Sequence, residues 1–186
     1  MIDLTKKGLP NTITVNGRPY SIYTDFRIWM RLYIQVQKLK KGQLLDVSYI
    51  FKNDHPQRIR IEDLLEFLSP PHELPRSIGR QTHTKVIDFE LDSNLLVAAF
   101  WGQYGLDLTE VEDLHWHKFL ALFEGLDKST KLREVMECRT YEKVKDSFDP
   151  YERLRMAWEI AEEPDEEEND SFSAAFEVKE EGQTEN

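Results

Sequence analysis

The sequence contains a single cysteine, Cys138, among 186 residues. One cysteine cannot form an internal disulfide, and it excludes a zinc site built from cysteines alone. No run of about 18 apolar residues is present, so the sequence predicts no membrane-spanning helix. The first residues contain no apolar signal core, so we expect a protein of the cytoplasm.

Sequence motifs that carry catalysis are also missing. The chain has no phosphate-binding P-loop, no glycine-rich dinucleotide turn, no G-x-S-x-G elbow and no H-E-x-x-H zinc motif. Its acidic pairs lie where helix N-termini are predicted, and acids there favour the positive end of the helix dipole. We therefore expect no catalytic, cofactor or metal site, and we interpret the chain as a non-enzymatic binding protein.

The segment His115-Trp116-His117 is the best candidate for a metal or acid–base site. Two histidines that are two positions apart on a helix point about 200° apart, so they cannot bind the same ion. Asp113 and His117 have the spacing of four that a zinc helix uses, but a catalytic zinc needs about three protein ligands. We therefore expect Trp116 to be packed in the core and His117 to lie at the edge of its helix.

Negative charge is concentrated at one end of the chain. Residues 162–186 carry eleven acids and one lysine, whereas residues 1–161 carry 24 acids and 23 basic residues. A segment with so much charge and so few apolar residues cannot bury enough surface to offset its chain entropy, so we expect a disordered acidic tail. The body lacks the clustered Lys and Arg of a nucleic-acid binder, so we expect no nucleic-acid partner.

Hydrophobic spacing in residues 1–161 predicts a single, mainly α-helical domain with an N-terminal β-hairpin at about 13–22 and a loop at about 69–86. Asn16-Gly17 accepts the positive φ angles that a type I′ hairpin turn requires. Thr109 and Glu112 form a capping-box pattern, T-x-x-E, that predicts the start of a helix. Caps and periodicity together predict helices over about 24–41, 59–68, 92–104, 109–125, 128–139 and from 149 onward. Thr24 or Asp25 can cap the first of these helices, and Gly105 is the expected C-cap of the helix that ends at 104. The apolar stretch at 44–51 is ambiguous between strand and helix.

Aromatic residues suggest where a partner could bind. Phe100 and Trp101 lie about 100° apart on their helix, so burying both requires a wide apolar face. Either both are core residues or one of them is a surface anchor for a partner. In the tail, Phe172 and Phe176 are spaced for one helical turn formed on a partner, or they are incidental in a solubilising segment. The candidate partner-binding residues are Trp101, Tyr104, Trp116, His117, Phe172 and Phe176.

Two stretches, AAFWGQYGLDL at 98–108 and LHWHKFLAL at 114–122, resemble patterns of the bacteriophage gene-product-fifteen family. The D-F-x-x-D pattern at 88–92, the closing Arg139 and the opening hairpin and helix are also similar to that family. Where the family pattern has a second tryptophan, L-H-W-W-K-F, this chain has His117. Members are encoded between the major tail protein and the tape-measure protein of long-tailed phages.

The resemblance implies a tail-assembly chaperone. Such a protein would bind the tape-measure protein in the host bacterial cytoplasm before the tail tube polymerises, and would be absent from the mature virion. The major tail protein and a companion assembly chaperone are further candidate partners. The alternative is a structural tail or connector protein that is retained in the virion.

Overall fold

The computed structural model describes residues 2, 4–40, 43–68, 86–140, 156–160 and 176–177. These residues are mainly α-helical and begin with an antiparallel β-hairpin, which confirms the predicted fold class. No helix among them is both long enough and apolar enough to span a lipid bilayer.

The chain divides into two compact units. Unit 1 contains residues 1–73, 113–120 and 169–186, and unit 2 contains residues 74–112 and 121–168. The single domain expected over residues 1–161 stays a prediction.

Unit 1 begins with the predicted hairpin. Strand β1 (Thr12–Val15) pairs antiparallel with β2 (Arg18–Ser21). The turn residues Asn16 and Gly17 have φ angles of 51° and 78°, as a type I′ turn requires. Ile13 and Val15 are buried while Thr12 and Thr14 are exposed, so β1 presents one apolar face to the core.

Helix α1 (Phe26–Gln37) follows the hairpin. The Asp25 carboxylate accepts a hydrogen bond from the Arg27 N–H at 2.9 Å, which satisfies a donor that the helix leaves free. The helix ends at Gln37, earlier than the predicted end near 41, and residues 41–42 lie outside the described part of the chain. Trp29 is fully buried on its inner face, and its indole N–H donates to the Tyr23 carbonyl at 2.7 Å.

The ambiguous apolar stretch at 44–51 forms a short 3₁₀ turn, Ser48–Ile50, next to an isolated β-bridge between Phe51 and Ile22. Strand β3 (Arg58–Ile59) then leads into α2 (Ile61–Leu68). The predicted loop at about 69–86 lies outside the described residues except for its last residue.

A two-residue strand, β4 (Phe176–Glu177), pairs antiparallel with β3 inside unit 1. These two residues therefore differ from the predicted disordered tail. The remainder of 162–186, including Phe172, lies outside the described residues, as does most of the helix predicted from 149, of which residues 156–158 are helical.

In unit 2, α3 (Ser93–Tyr104) ends at Gly105, whose φ of 62° is the left-handed conformation predicted for its C-cap. Helix α4 (Trp116–Glu124) has its first five residues in unit 1 and its last four in unit 2. Helix α5 (Lys131–Thr140) buries Leu132 and Val135 on one side.

The predicted capping box at Thr109 and Glu112 is wrong. The Asp107 carboxylate accepts hydrogen bonds from the Thr109 N–H at 2.8 Å and from its hydroxyl at 2.6 Å, so the threonine closes a turn instead of capping a helix. The helix begins at Trp116, seven residues later than predicted.

Candidate functional site

The segment His115-Trp116-His117 packs against the carboxyl end of α2 inside unit 1. The last carbonyls of a helix have no acceptor role within that helix, so they need donors from elsewhere. The Trp116 Nε1–H donates to the Leu68 carbonyl at 2.8 Å, and the His117 Nε2–H donates to the Phe67 carbonyl at 2.8 Å. Two side chains at the start of α4 therefore donate hydrogen bonds to the free carbonyls at the end of α2.

The two histidine rings are oriented by different partners. His115 Nε2 donates to the Pro10 carbonyl at 2.8 Å, and its Nδ1 accepts from the His117 backbone N–H at 3.1 Å. Because carbonyl oxygens only accept, each Nε2 carries a proton and points at a different part of the chain. Among the described residues, no group of three or more His, Cys, Asp or Glu side chains is placed to hold a metal ion.

Burial lowers the pKa of both imidazoles, and the hydrogen bonds to the Pro10 and Phe67 carbonyls oppose that shift without reversing it. His115 and His117 are therefore neutral at pH 7. The second nitrogen of His117, Nδ1, is buried and has no hydrogen-bond partner among the described residues. The arrangement is that of two structural histidines.

The prediction that His117 lies at a helix edge is wrong. Its exposed fraction is 5%, and that of Trp116 is 1%. The His117 ring lies 4.3 Å from the Phe67 ring, and the Trp116 ring stacks on Phe119 at 5.4 Å. Both candidate partner-binding side chains are thus core residues of unit 1 and are not accessible to a partner in this structure.

Helix α3 separates the adjacent aromatics Phe100 and Trp101. Phe100 is fully buried, whereas Trp101 is 59% exposed. The sequence left open whether both residues are buried or one lies on the surface. In the structure one is a core residue and the other is a surface residue. Trp101 lies among exposed uncharged residues that we call the α3 outer face: Asn94, Ala98, Trp101 and Gly102.

Tyr104 is half-buried at the end of α3 and has a structural partner. Its hydroxyl donates to the Leu122 carbonyl at 2.8 Å, and its ring packs edge-on against Phe100 with centroids 5.7 Å apart. One residue earlier, the Gln103 amide donates to the Gly125 carbonyl at 2.9 Å and accepts from the Asp127 N–H at 2.7 Å. These contacts fix the end of α3 within unit 2, so the hydroxyl of Tyr104 is already occupied.

A buried ion pair joins Asp92 and Arg139, and it was not predicted from the sequence. Arg139 donates to both carboxylate oxygens of Asp92, at 2.6 and 2.8 Å, and both side chains are at most 4% exposed. The same guanidinium donates to the Val86 carbonyl at 3.0 Å and to the Trp158 carbonyl at 2.7 Å. Asp92 does sit at the N-cap position of α3, but its carboxylate accepts from Arg139 and from the Asp88 N–H instead of capping the helix.

This pair joins three parts of unit 2: residues 86–92, helix α5 and the segment that contains Trp158. The resemblance to a family pattern had marked Asp92 and Arg139 individually, and that was the signal available before the structure. Nothing in their separation of 47 positions indicates that they pair.

The two tail candidates are not placed at a site. Phe172 lies outside the described residues, and Phe176 lies in β4, where only its backbone is described.

Comparison with known proteins places these elements in a wider group. A family model described as Bacteriophage Gp15 protein matches residues 5–160, a segment that contains the hairpin and helices α1 to α5. No curated protein and no solved structure matches the chain.

Proposed function

The chain belongs to the bacteriophage Gp15 protein family, and from that membership we propose that it is a non-enzymatic tail-assembly chaperone that binds the tape-measure protein. Family membership by itself supports the general statement that the chain is a phage structural or assembly protein. The exposed, uncharged α3 outer face, which includes Trp101, supports the more specific proposal that the chain binds the tape-measure protein.

The proposed partner needs a surface of this kind. A tape-measure protein is a very long, mainly helical chain whose apolar stripes would aggregate before tube protein surrounds them. A helix face with an exposed aromatic residue covers such a stripe by helix-to-helix contact. Several weak contacts, displaced one after another by tube protein, release the partner without nucleotide hydrolysis.

The location of the protein follows from this role. It acts in the host bacterial cytoplasm and leaves the complex before the virion matures. The acids of residues 162–186 add negative charge to the loaded complex, and like charges on separate complexes keep them apart in solution.

Co-expression tests the proposal. The chain and the tape-measure protein of the same phage genome are expressed together and separately, with an affinity tag on the chain. We expect the tape-measure protein to remain soluble and to co-purify only when both are present. Continued aggregation of the tape-measure protein, with none retained on the affinity resin, would show that the proposal is wrong.

Particle composition separates the proposal from the structural alternative. Quantitative mass spectrometry of purified virions gives the copy number of the chain relative to the major tail protein. Absence from the particle supports a chaperone that departs. A fixed copy number per particle would instead identify a structural tail or connector protein.

A further inference from the structure

Helix α3 is unusual for a helix with a solvent-exposed side, because its twelve residues include no Asp, Glu, Lys or Arg. The solvent-exposed face of a helix in a globular protein usually carries charged residues. Leu96, Ala99 and Phe100 are buried, yet the opposite side leaves Trp101 and Ala98 exposed. The exposed side therefore has no charged residue and has one large aromatic residue, two features that are typical of the centre of a protein interface.

The surface beside Trp101 is open. A Cβ atom added at Gly102 would meet nothing within 4 Å, and Ala98, one turn before Gly102, is also exposed. A large indole flanked by small residues gives a ridge with a shallow groove next to it. Side chains of a second helix can enter such a groove when the axes approach to about 8–10 Å.

The charged residues in the segment that contains α3 all have one sign. Residues 86–112 contain six acids and no basic residue. Asp88 and Asp92 are buried, while Glu90 before the helix and Glu110 and Glu112 after it are exposed. Exposed carboxylates therefore precede and follow the helix in the sequence.

From an uncharged face with carboxylates at both ends, we propose that the α3 outer face binds a basic amphipathic helix. The apolar stripe of that helix packs on Trp101, Ala98 and Gly102, and its Lys and Arg side chains face the acids near the two ends of α3. A twelve-residue helix is about 18 Å long, so a partner that reaches both acidic ends needs roughly 14–18 residues. The inference rests on the proposed function, since it gives the chemistry expected of the tape-measure segment that docks here.

Charge argues against a second copy of this chain as the occupant. In a two-fold dimer the same patch lies on both sides of the interface, so the carboxylates near α3 would face each other. The full chain carries a net charge of −11, which adds general repulsion between copies. A cationic partner meets neither obstacle.

A direct test uses two synthetic amphipathic peptides of about 16 residues, a length set by the helix rise. One peptide has a leucine stripe flanked by lysines, and the other has the same stripe flanked by glutamates. Binding of the full chain to each fluorescently labelled peptide is measured by anisotropy at low and at high salt. We expect the lysine peptide to bind, the glutamate peptide to bind at least about tenfold more weakly, and salt to reduce the difference.

Variants of the α3 outer face locate the site. Trp101→Ala and Ala98→Arg should each raise the Kd of the lysine peptide by about tenfold or more, because they remove the anchor or block the groove. Leu44→Ala is the matched control, since Leu44 has the same 59% exposure as Trp101 but lies in unit 1. It should change the Kd by less than about twofold. Thermal melts confirm that each variant keeps its fold.

A charge reversal tests the acidic ends. Glu110→Lys combined with Glu112→Lys should raise the Kd of the lysine peptide several-fold. Glu137→Lys, which reverses one exposed charge on α5, should raise that Kd much less. Equal binding of the two peptides, or a Trp101→Ala variant that binds like the wild type, would overturn the inference. Self-association in sedimentation that is lost in Trp101→Ala would also overturn it, because the face would then be a homodimer interface.

Co-expression separates failure of this inference from failure of the proposed function. If Trp101→Ala still keeps the tape-measure protein soluble, the function stands and the surface is wrong. If the wild type fails to retain the tape-measure protein but binds the lysine peptide through Trp101, the surface stands and the proposed function is wrong.

Discussion

Replacing Asp92 by alanine should strongly destabilise the protein. The change leaves the Arg139 guanidinium buried with the Val86 and Trp158 carbonyls but without its counter-charge. The two hydrogen bonds with Arg139 are lost, at about 1.5–3 kcal/mol each, and the Asp88 N–H loses its acceptor as well. Removing one partner of a buried ion pair costs about 3–5 kcal/mol in other proteins. The sum of the two hydrogen bonds with Arg139 has a similar magnitude.

Such a loss is large compared with a typical unfolding free energy of about 5–15 kcal/mol. For a chain of this size, about 2–4 °C of melting temperature corresponds to 1 kcal/mol, so we expect Asp92→Ala to lower the Tm by about 6–20 °C. Urea unfolding followed by circular dichroism measures the free energy directly. The matched control is Glu134→Ala in the exposed Lys131–Glu134 pair, which should cost less than about 1 kcal/mol.

A double-mutant cycle decides whether the pair acts as a unit. Arg139→Met removes the other partner, and the variant with both substitutions has no uncompensated charge. We expect the double variant to be no less stable than either single variant, because the residues interact directly. Additive losses, or a loss in Asp92→Ala no larger than that in Glu134→Ala, would refute the reasoning.

Three further outcomes are expected. The pKa of His117 is lowered from its ordinary value of 6.5 in the folded protein, so the unfolded chain takes up a proton first as the pH falls. The stability that is present above pH 6.5 is therefore lost as the pH falls. Between pH 7.5 and 5.0 the Tm should drop more for the wild type than for His117→Phe. Trp116→Ala should cost about 3–5 kcal/mol in urea unfolding, since the indole is buried and its N–H satisfies the Leu68 carbonyl; an unchanged transition would contradict its core position. Gly17→Ala should destabilise the protein by about 1–2 kcal/mol, because the φ angle of Gly17 is 78°. Gly102→Ala should stabilise it by about 0.5–1 kcal/mol, because Gly102 lies in a helix and has open space around it. The same sign for both substitutions would show that backbone conformation does not control the effect.

Features that depend on neighbouring residues were predictable from the sequence. The hairpin turn at Asn16-Gly17, the cap at Asp25 and the left-handed Gly105 each require a particular backbone conformation that few residue types adopt easily. The structure has the turn and the left-handed glycine where the sequence predicted them, and of the two cap candidates, Thr24 and Asp25, it uses Asp25.

Features that depend on distant residues were not predictable. The Phe26 N–H donates to the Leu114 carbonyl at 2.8 Å, and the Trp116 N–H donates to the Thr24 carbonyl at 2.7 Å. This long-range pairing forms a β-bridge between Asp25 and His115, so α4 begins only at Trp116.

The burial of His117 has a similar cause. A polar residue near the end of a predicted apolar face is normally placed at the edge, because its hydrogen bonds would be lost in the core. Here the free carbonyl of Phe67 at the end of α2 supplies an acceptor. Only the tertiary structure reveals that this acceptor is available.

The order of synthesis matters for unit 1, because part of its core is translated late. Phe119 stacks on Phe26 at 5.1 Å, and Trp116 reaches back 48 positions to the end of α2. Between these parts the ribosome must add residues 74–112, which takes about 2–8 s at 5–20 residues per second. During that interval the nascent chain has the first half of an aromatic core without the rings that cover it. A fragment ending before residue 113 should therefore aggregate or recruit host folding factors, and cannot serve as an isolated unit 1.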